Sequence, residues 1–215
     1  MRRLGLIGTA FVAMMALSTS ASAAIIGGID FPQGAISFAD LVVSYTKGTG
    51  VGPNWDDPDD ALGLPNYSGL DGGLNAVALG VGGSLVLRFT DNSLTTSGDA
   101  TPDIHVFEIG GQVETFKLEI STDGDIWIDL GNVLGQPTSV DIDGKAGVVA
   151  GTLYSFVRLS DVAPDGLSGF PFAEADFDAV GAISSGRAVP TPEPATLSLL
   201  GLAVAGFGLS RRRRA

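Results

Sequence analysis

Residues 114–131 read ETFKLEISTDGDIWIDLG, and this alternation narrows the choice of fold more than any other part of the chain. Phe116, Leu118 and Ile120 alternate with Lys117, Glu119 and Ser121, which gives an extended segment one apolar and one charged face. Asp123-Gly124 is a favoured two-residue hairpin turn, and Ile126, Ile128 and Leu130 then alternate with Asp125, Trp127 and Asp129. Similar short stretches recur at 39–45 (ADLVVSY), 75–79, 84–89 (SLVLRF), 103–111 (DIHVFEIGG), 155–162 and 175–183. Gly, Asp, Asn and Pro separate them, and no amphipathic helix stands between residues 24 and 190. About eight strands predict an all-β jelly roll or similar two-sheet β-sandwich.

The two ends of the chain are of another kind. Arg2 and Arg3 precede an apolar run from Leu4 to Leu17, and Ala21-Ser22-Ala23 supplies small residues where a signal peptidase reads them. Residues 1–23 are therefore expected to be a Sec signal peptide with a helical apolar part, cut after Ala23. The run is shorter than the roughly 20 residues that cross a bilayer. At the other end, Ala195 to Leu209 carries no charge, and four arginines, Arg211, Arg212, Arg213 and Arg214, follow it. Such a segment predicts a short hydrophobic helix with its arginines on the cytoplasmic side, which leaves everything before Pro190 outside. Three glycines and its small length suit transient inner-membrane anchoring.

Pro192-Glu193-Pro194, the apolar segment and the arginine cluster, in that order, closely resemble the PEP-CTERM sorting signal of Gram-negative bacteria. The resemblance implies processing by an exosortase and delivery to the cell surface or the extracellular polymer matrix. It makes Pro192, Glu193, Pro194, Arg211, Arg212, Arg213 and Arg214 the sorting residues. The expected organisation is thus a signal peptide (1–23), an extracellular β-sandwich (24–188) and a sorting signal (189–215).

All 24 acidic residues lie between the two basic ends, together with only six of the twelve basic ones, so that stretch carries a net charge of −18. Such a surface repels nucleic acid and anionic lipid, favours cations such as calcium, and keeps an exported protein soluble. The chain has no cysteine, which excludes disulfides, zinc–thiolate sites, iron–sulfur clusters and cysteine nucleophiles.

A second resemblance runs through the middle. The segments at 61–65 (ALGLP), 78–89, 103–108 (DIHVFE), 120–127 (ISTDGDIW), 156–161 (FVRLSD) and 176–180 (DFDAV) look in common order like bacterial cell-surface domains of the galactose-binding-like, discoidin type. That resemblance implies a jelly roll and a broad role, since such domains bind sugars, calcium or other proteins, or act as spacers.

Catalytic motifs are scarce. His105 is the sole histidine, which excludes a histidine metal triad, and no GXSXG elbow, Walker or dinucleotide glycine pattern occurs. His105 stands within a predicted strand between Ile104 and Val106 and is expected to face outward as a surface residue. The candidate metal site is NWDDPDDALG (54–63), where Asp56, Asp57, Asp59 and Asp60 crowd a loop around Pro58. Four such carboxylates repel one another unless solvent or a cation compensates, and calcium takes six to eight oxygens from flexible loops. Asp71, Asn75, Asp176 and Asp178 offer further oxygens. For sugar stacking, Trp55 beside the acids is the candidate ligand-binding residue. Trp127 falls out of phase with its neighbouring isoleucines, but the discoidin-type resemblance implies that it packs inside.

The sequence thus points to a non-catalytic structural or adhesive protein of the bacterial envelope or matrix, contacting other surface proteins. The alternative is a carbohydrate-binding module for exopolysaccharide. An enzymatic alternative, a carboxylate-dependent glycoside hydrolase or lyase, requires two acids facing each other across a cleft.

Overall fold

The computed structural model of the chain describes residues 22–69, 74–110, 112–162 and 169–188. Several expectations fall outside those residues: the leader with Ala21, Asp71, and the sorting residues Pro192, Glu193, Pro194, Arg211, Arg212, Arg213 and Arg214. Ala23 lies within them, exposed.

Among the described residues the strands are β1 (Ala24–Ile26), β2 (Ile29–Phe31), β3 (Leu41–Thr46), β4 (Val77–Ala78), β5 (Ser84–Arg88), β6 (Asn92–Leu94) and β7 (Ile104–Ile109). They continue as β8 (Thr115–Ser121), β9 (Ile128–Leu134), β10 (Thr138–Val140), β11 (Phe156–Asp161), β12 (Asp176–Ala182) and β13 (Ser185–Arg187). Two antiparallel sheets dominate: β3-β5-β11-β8-β9 and β10-β7-β12-β4. The all-β sandwich expected from the sequence is what forms. Among the described residues no helix is long and apolar enough to cross a membrane.

The core lies between these sheets. Leu85, Leu87, Phe116, Leu118, Ile120, Val157 and Leu159 of the five-stranded sheet pack with Val77, Ile104, Val106, Phe177, Val180 and Ala182 of the four-stranded one. Phe116 and Phe177 meet edge to face with centroids 5.0 Å apart and thereby join the layers. The opposite face of the five-stranded sheet is wet. There Arg158 reaches Glu119 at 2.6 Å, and Lys117 bridges Glu119 and Asp129 at 3.1 and 3.0 Å.

The four-stranded sheet is covered on both faces, so every residue of β12 and all but the last of β7 are buried. The β1–β2 hairpin and the turn after it lay Phe31 and Phe38 over Phe107 and Ala179. Gly181 permits this approach, because a Cβ there would stand 2.6 Å from the Phe31 ring. His105 is the consequence for the sequence reading. It does turn away from the core, as its phase requires, yet it is only 3% exposed because this lid covers it. The surface position expected for it is thus corrected.

Two more expectations change. The β8–β9 ladder ends at Ile120 opposite Ile128, so residues 122–127 form the connection in place of a two-residue turn. Within it Asp123 Oδ1 accepts from the backbone N–H groups of Asp125 and Ile126 at 2.9 and 3.0 Å, which leaves Ile126 exposed. The longer connection also carries Trp127 off the strand: it is half-buried on the wet face, with the Arg158 guanidinium 4.3 Å above its ring. Its alternation phase was the better guide than the interior position implied by resemblance.

Candidate functional site

The acidic loop around Pro58 is built as a short 3-10 turn, Pro58–Ala61, in which Pro58 opens the turn and Asp57 caps it by accepting from the Asp59 backbone N–H at 3.1 Å. Asp56 instead pairs with Lys47 Nζ at 3.0 Å. Asp56, Asp57 and Asp59 are exposed or half-buried, and Asp60 is exposed or half-buried likewise, so the loop keeps its carboxylates near solvent. Asp178 serves a different segment: at the bulge in β12 its Oδ1 accepts from the backbone N–H groups of Asn66 and Tyr67 at 2.9 and 3.2 Å. Asp176, two residues earlier in β12, stands opposite Ile109 and Ala78. Tyr45 lies within electrostatic reach of both Asp56 and Asp176. The hydroxyl of Tyr45 donates to the Ala78 carbonyl at 2.7 Å, and burial, then the charges of Asp56 and Asp176, push its pKa up to about 12.

Trp55 is not a free platform. It is 6% exposed, with Phe172 and Tyr67 closing over it at centroid distances of 5.0 and 6.2 Å. The loop position that suggested a stacking surface is roofed by aromatics from two other segments. Phe170 and the outer side of Phe172 are the exposed aromatic surface here.

The least comfortable charges lie elsewhere. Glu108 is 1% exposed, and neither of its carboxylate oxygens has a hydrogen-bond partner. Asp176 is 2% exposed, with its Oδ1 likewise unpartnered. Glu114 is buried beside them. Burial first, then the Glu114 charge, pushes the Glu108 pKa up to about 9; burial first, then Glu114 and Glu108, does the same for Asp176. The three carboxyl groups therefore sense one another where β7 ends and β8 begins. Glu108 and Asp178 also help to wall a cleft of about 390 Å³, with Pro65, Tyr67 and Phe107.

Glu108 and Glu114 were missed by sequence reasoning, although a signal exists. Glu108 is in phase with the core residues Ile104 and Val106, and Glu114 with Phe116, Leu118 and Ile120. A charged residue at a core phase at the end of each of two successive strands is costly unless it is compensated.

A further trio, Asp103, Asp141 and Asp143, brings one carboxylate oxygen from each within 4.8 Å of the others. These oxygens tie two loops together: Asp103 accepts from the backbone N–H groups of Ser97 and Ile142 at 2.6 and 2.9 Å, and Asp143 from that of Gly98 at 2.9 Å. Burial pushes the Asp103 pKa up against the pull of these hydrogen bonds.

Residues 190–214 match the PEP-CTERM protein-sorting motif, a span that takes in Pro192, Glu193, Pro194 and the arginines Arg211, Arg212, Arg213 and Arg214. No curated protein matches the chain. Among solved structures, it is similar to the crystal structure of the C-terminal domain of a chitobiase from Bacteroides fragilis. That match has 13% identity and a TM-score of 0.39, over 73% of this chain and 97% of that one.

Proposed function

We propose that the PEP-CTERM motif at residues 190–214 directs an exported, non-catalytic β-sandwich to an exosortase, and through it to the cell surface or extracellular matrix, where it has a structural or adhesive role. The observation that carries this reading is the motif itself, placed directly after a domain whose strands end at Arg187. In this reading signal peptidase opens the amino end, exosortase releases the carboxyl end, and the inner membrane holds the chain only between those events.

Several features favour a structural role over sugar binding or hydrolysis. Trp55 is enclosed by aromatic neighbours, so the stacking platform of a carbohydrate-binding module is not offered there. His105 is enclosed as well, with Ser139 as its hydrogen-bond partner at 2.6 Å. A net charge of −18 between the basic ends disfavours nucleic acid and anionic membrane surfaces, and suits a hydrated matrix.

The test is a fractionation in a Gram-negative host that carries an exosortase. The wild-type chain is expected at the surface or in the medium, shortened at both ends. Replacing Pro192, Glu193 and Pro194 by alanine is expected to leave the longer form in the inner membrane. Equal processing and export of the two chains, or of the wild type in a strain lacking exosortase, would refute the assignment.

A further inference from the structure

A strand with a neighbour on one side only leaves a row of backbone groups open to other chains, and charge, proline, shortness or cover normally guards that row. Among the described residues, three of the four edges of the two main sheets are guarded in this way. β4 spans two residues, and the Trp55 carbonyl takes its Ala78 N–H at 2.9 Å. β10 spans three residues and follows Pro137. β9 carries Asp129 together with Gly131 and Asn132. β3 is the exception. Its six residues, LVVSYT, hold no charge and no proline, and β5 is its only strand partner. Leu41 and Val43 are 45% and 48% exposed on it.

One irregularity sets the faces of β3. Val43 has no partner in β5, because the register shifts between Val42 and Ser44. Leu41 and Thr46 stand opposite Arg88 and Ser84, whereas Val42 and Tyr45 stand opposite Leu87 and Leu85 and pack on the core. In a regular strand, residues five apart point to opposite faces. Here the bulge puts Leu41 and Thr46 on the same outer face, and Val42 and Tyr45 on the same inner one. The face pattern of the strand therefore reads the same from either end. A two-fold axis perpendicular to the sheet lays two such strands antiparallel, with Leu41 opposite Thr46 and Val42 opposite Tyr45 of the other copy. The same register sets Asp40 of each copy opposite Lys47 of the other, one pair at each end. Between the basic ends of the chain only six basic residues accompany 24 acidic ones, so two copies repel over most of their surface and this complementarity selects the contact. Both groups have capacity left: Lys47 Nζ gives one of its three N–H donors to Asp56, and Asp40 engages Thr90 through Oδ2.

We propose that β3 is a self-association edge, through which two copies of this chain continue one five-stranded sheet into the other. The contact is antiparallel and isologous: backbone hydrogen bonds supply the attraction, and the Asp40–Lys47 pairs fix the register. A contact of one six-residue strand is small, so the dimer is weak and forms where copies are crowded. The inference goes beyond the sorting assignment and does not depend on it, since a purified chain tests it whether or not an exosortase cuts the tail.

The experiment uses the full chain purified in detergent. In sedimentation velocity the wild type is expected to pass from monomer to dimer between about 5 and 500 µM. Val43→Lys places a charge on the free edge at an exposed position without a β5 partner. It is expected to weaken the dimer at least about tenfold and to leave the melting midpoint unchanged. Asp40→Lys and Lys47→Asp are each expected to stay monomeric where the wild type is dimeric, because like charges then face each other. An equal mixture of those two variants is expected to recover the dimer, which also shows that both are folded. The chain has no cysteine, so introduced thiols report cleanly. Leu41→Cys combined with Thr46→Cys is expected to give a disulfide-linked dimer under mild oxidation, at least about fivefold more than Ile25→Cys, an exposed position off the edge. A wild type that stays monomeric throughout the range overturns the proposal. So does a dimer that survives Val43→Lys and both charge reversals, which would place the contact in the apolar ends of the chain.

Discussion

His105 and Phe107 meet edge on, with ring centroids 4.4 Å apart, on the lid-covered face of β7. Burial of the imidazole pushes its pKa down from 6.5 to about 4, because the charged form loses its water and its Nδ1 has only the Ser139 hydroxyl as partner. Its contribution to stability is therefore fully present above pH 6.5 and is lost as pH falls from there towards about 4, by up to about 3 kcal/mol. Chemical denaturation at a series of pH values, for the wild type and His105→Gln, checks this. The wild type should lose more stability across that window than the variant, and parallel curves would contradict it. Glu119 runs in the opposite sense. The Arg158 hydrogen bond, aided by Lys117, holds its pKa low, so its contribution persists above the ordinary carboxylate range and fades below it.

At the scale of elements, the β1–β2 hairpin decides which residues of the four-stranded sheet are wet. Phe31 is fully buried, with its ring centroid 4.8 Å from that of Phe38 and 6.4 Å from that of Phe107. Phe31→Ala is expected to cost about 3–5 kcal/mol by cavity formation. It should also let water reach His105, whose NMR titration midpoint is expected to move from about 4 back towards 6.5. An unchanged His105 midpoint in a folded Phe31→Ala protein would mean that the hairpin is not what dries that face. The strands with one wet face, β5, β8 and β11, were legible because alternation reports a half-buried surface. β1, β2, β6, β10 and β13 span three residues each, too few for a period to register. The lid over His105 was hidden for a related reason: the phase of a residue gives its face, and only the tertiary partner of that face decides whether it is dry. Asp123-Gly124 carried a real turn signal, but Asp123 gathers two backbone N–H groups and builds a longer connection from it.

The sandwich is expected to fold without the two ends of the chain. Residues 24–188 produced without either end are expected to unfold in one cooperative transition, since one core cluster joins both sheets. Added sodium chloride should raise the midpoint by screening repulsion across a highly acidic surface. Two separated transitions, or a midpoint that falls with salt, would count against that picture. The tail was the most readable segment of all, because its recognition depends on a linear order of residue types and needs no folded neighbour. The buried carboxylates were the least readable. Glu108 and Glu114 declare themselves only when acids at core phases are taken as a signal, and Asp176 is buried opposite Ile109 and Ala78 by pairings of β12 that sequence order does not reveal.

The cover that the amino-terminal segment lays over β12 sets an order of events for the proposed export. On the proposed export route the amino-terminal hairpin is the first part of the domain to cross, yet the strand it covers, β12, is nearly the last. Ala39 donates its backbone N–H to the Val180 carbonyl, and Phe38 bridges to Gly181, so the opening segment waits for the closing one before its aromatic rings find shelter. On the proposed route, the domain completes its fold only once β12 has crossed, immediately ahead of the sorting segment.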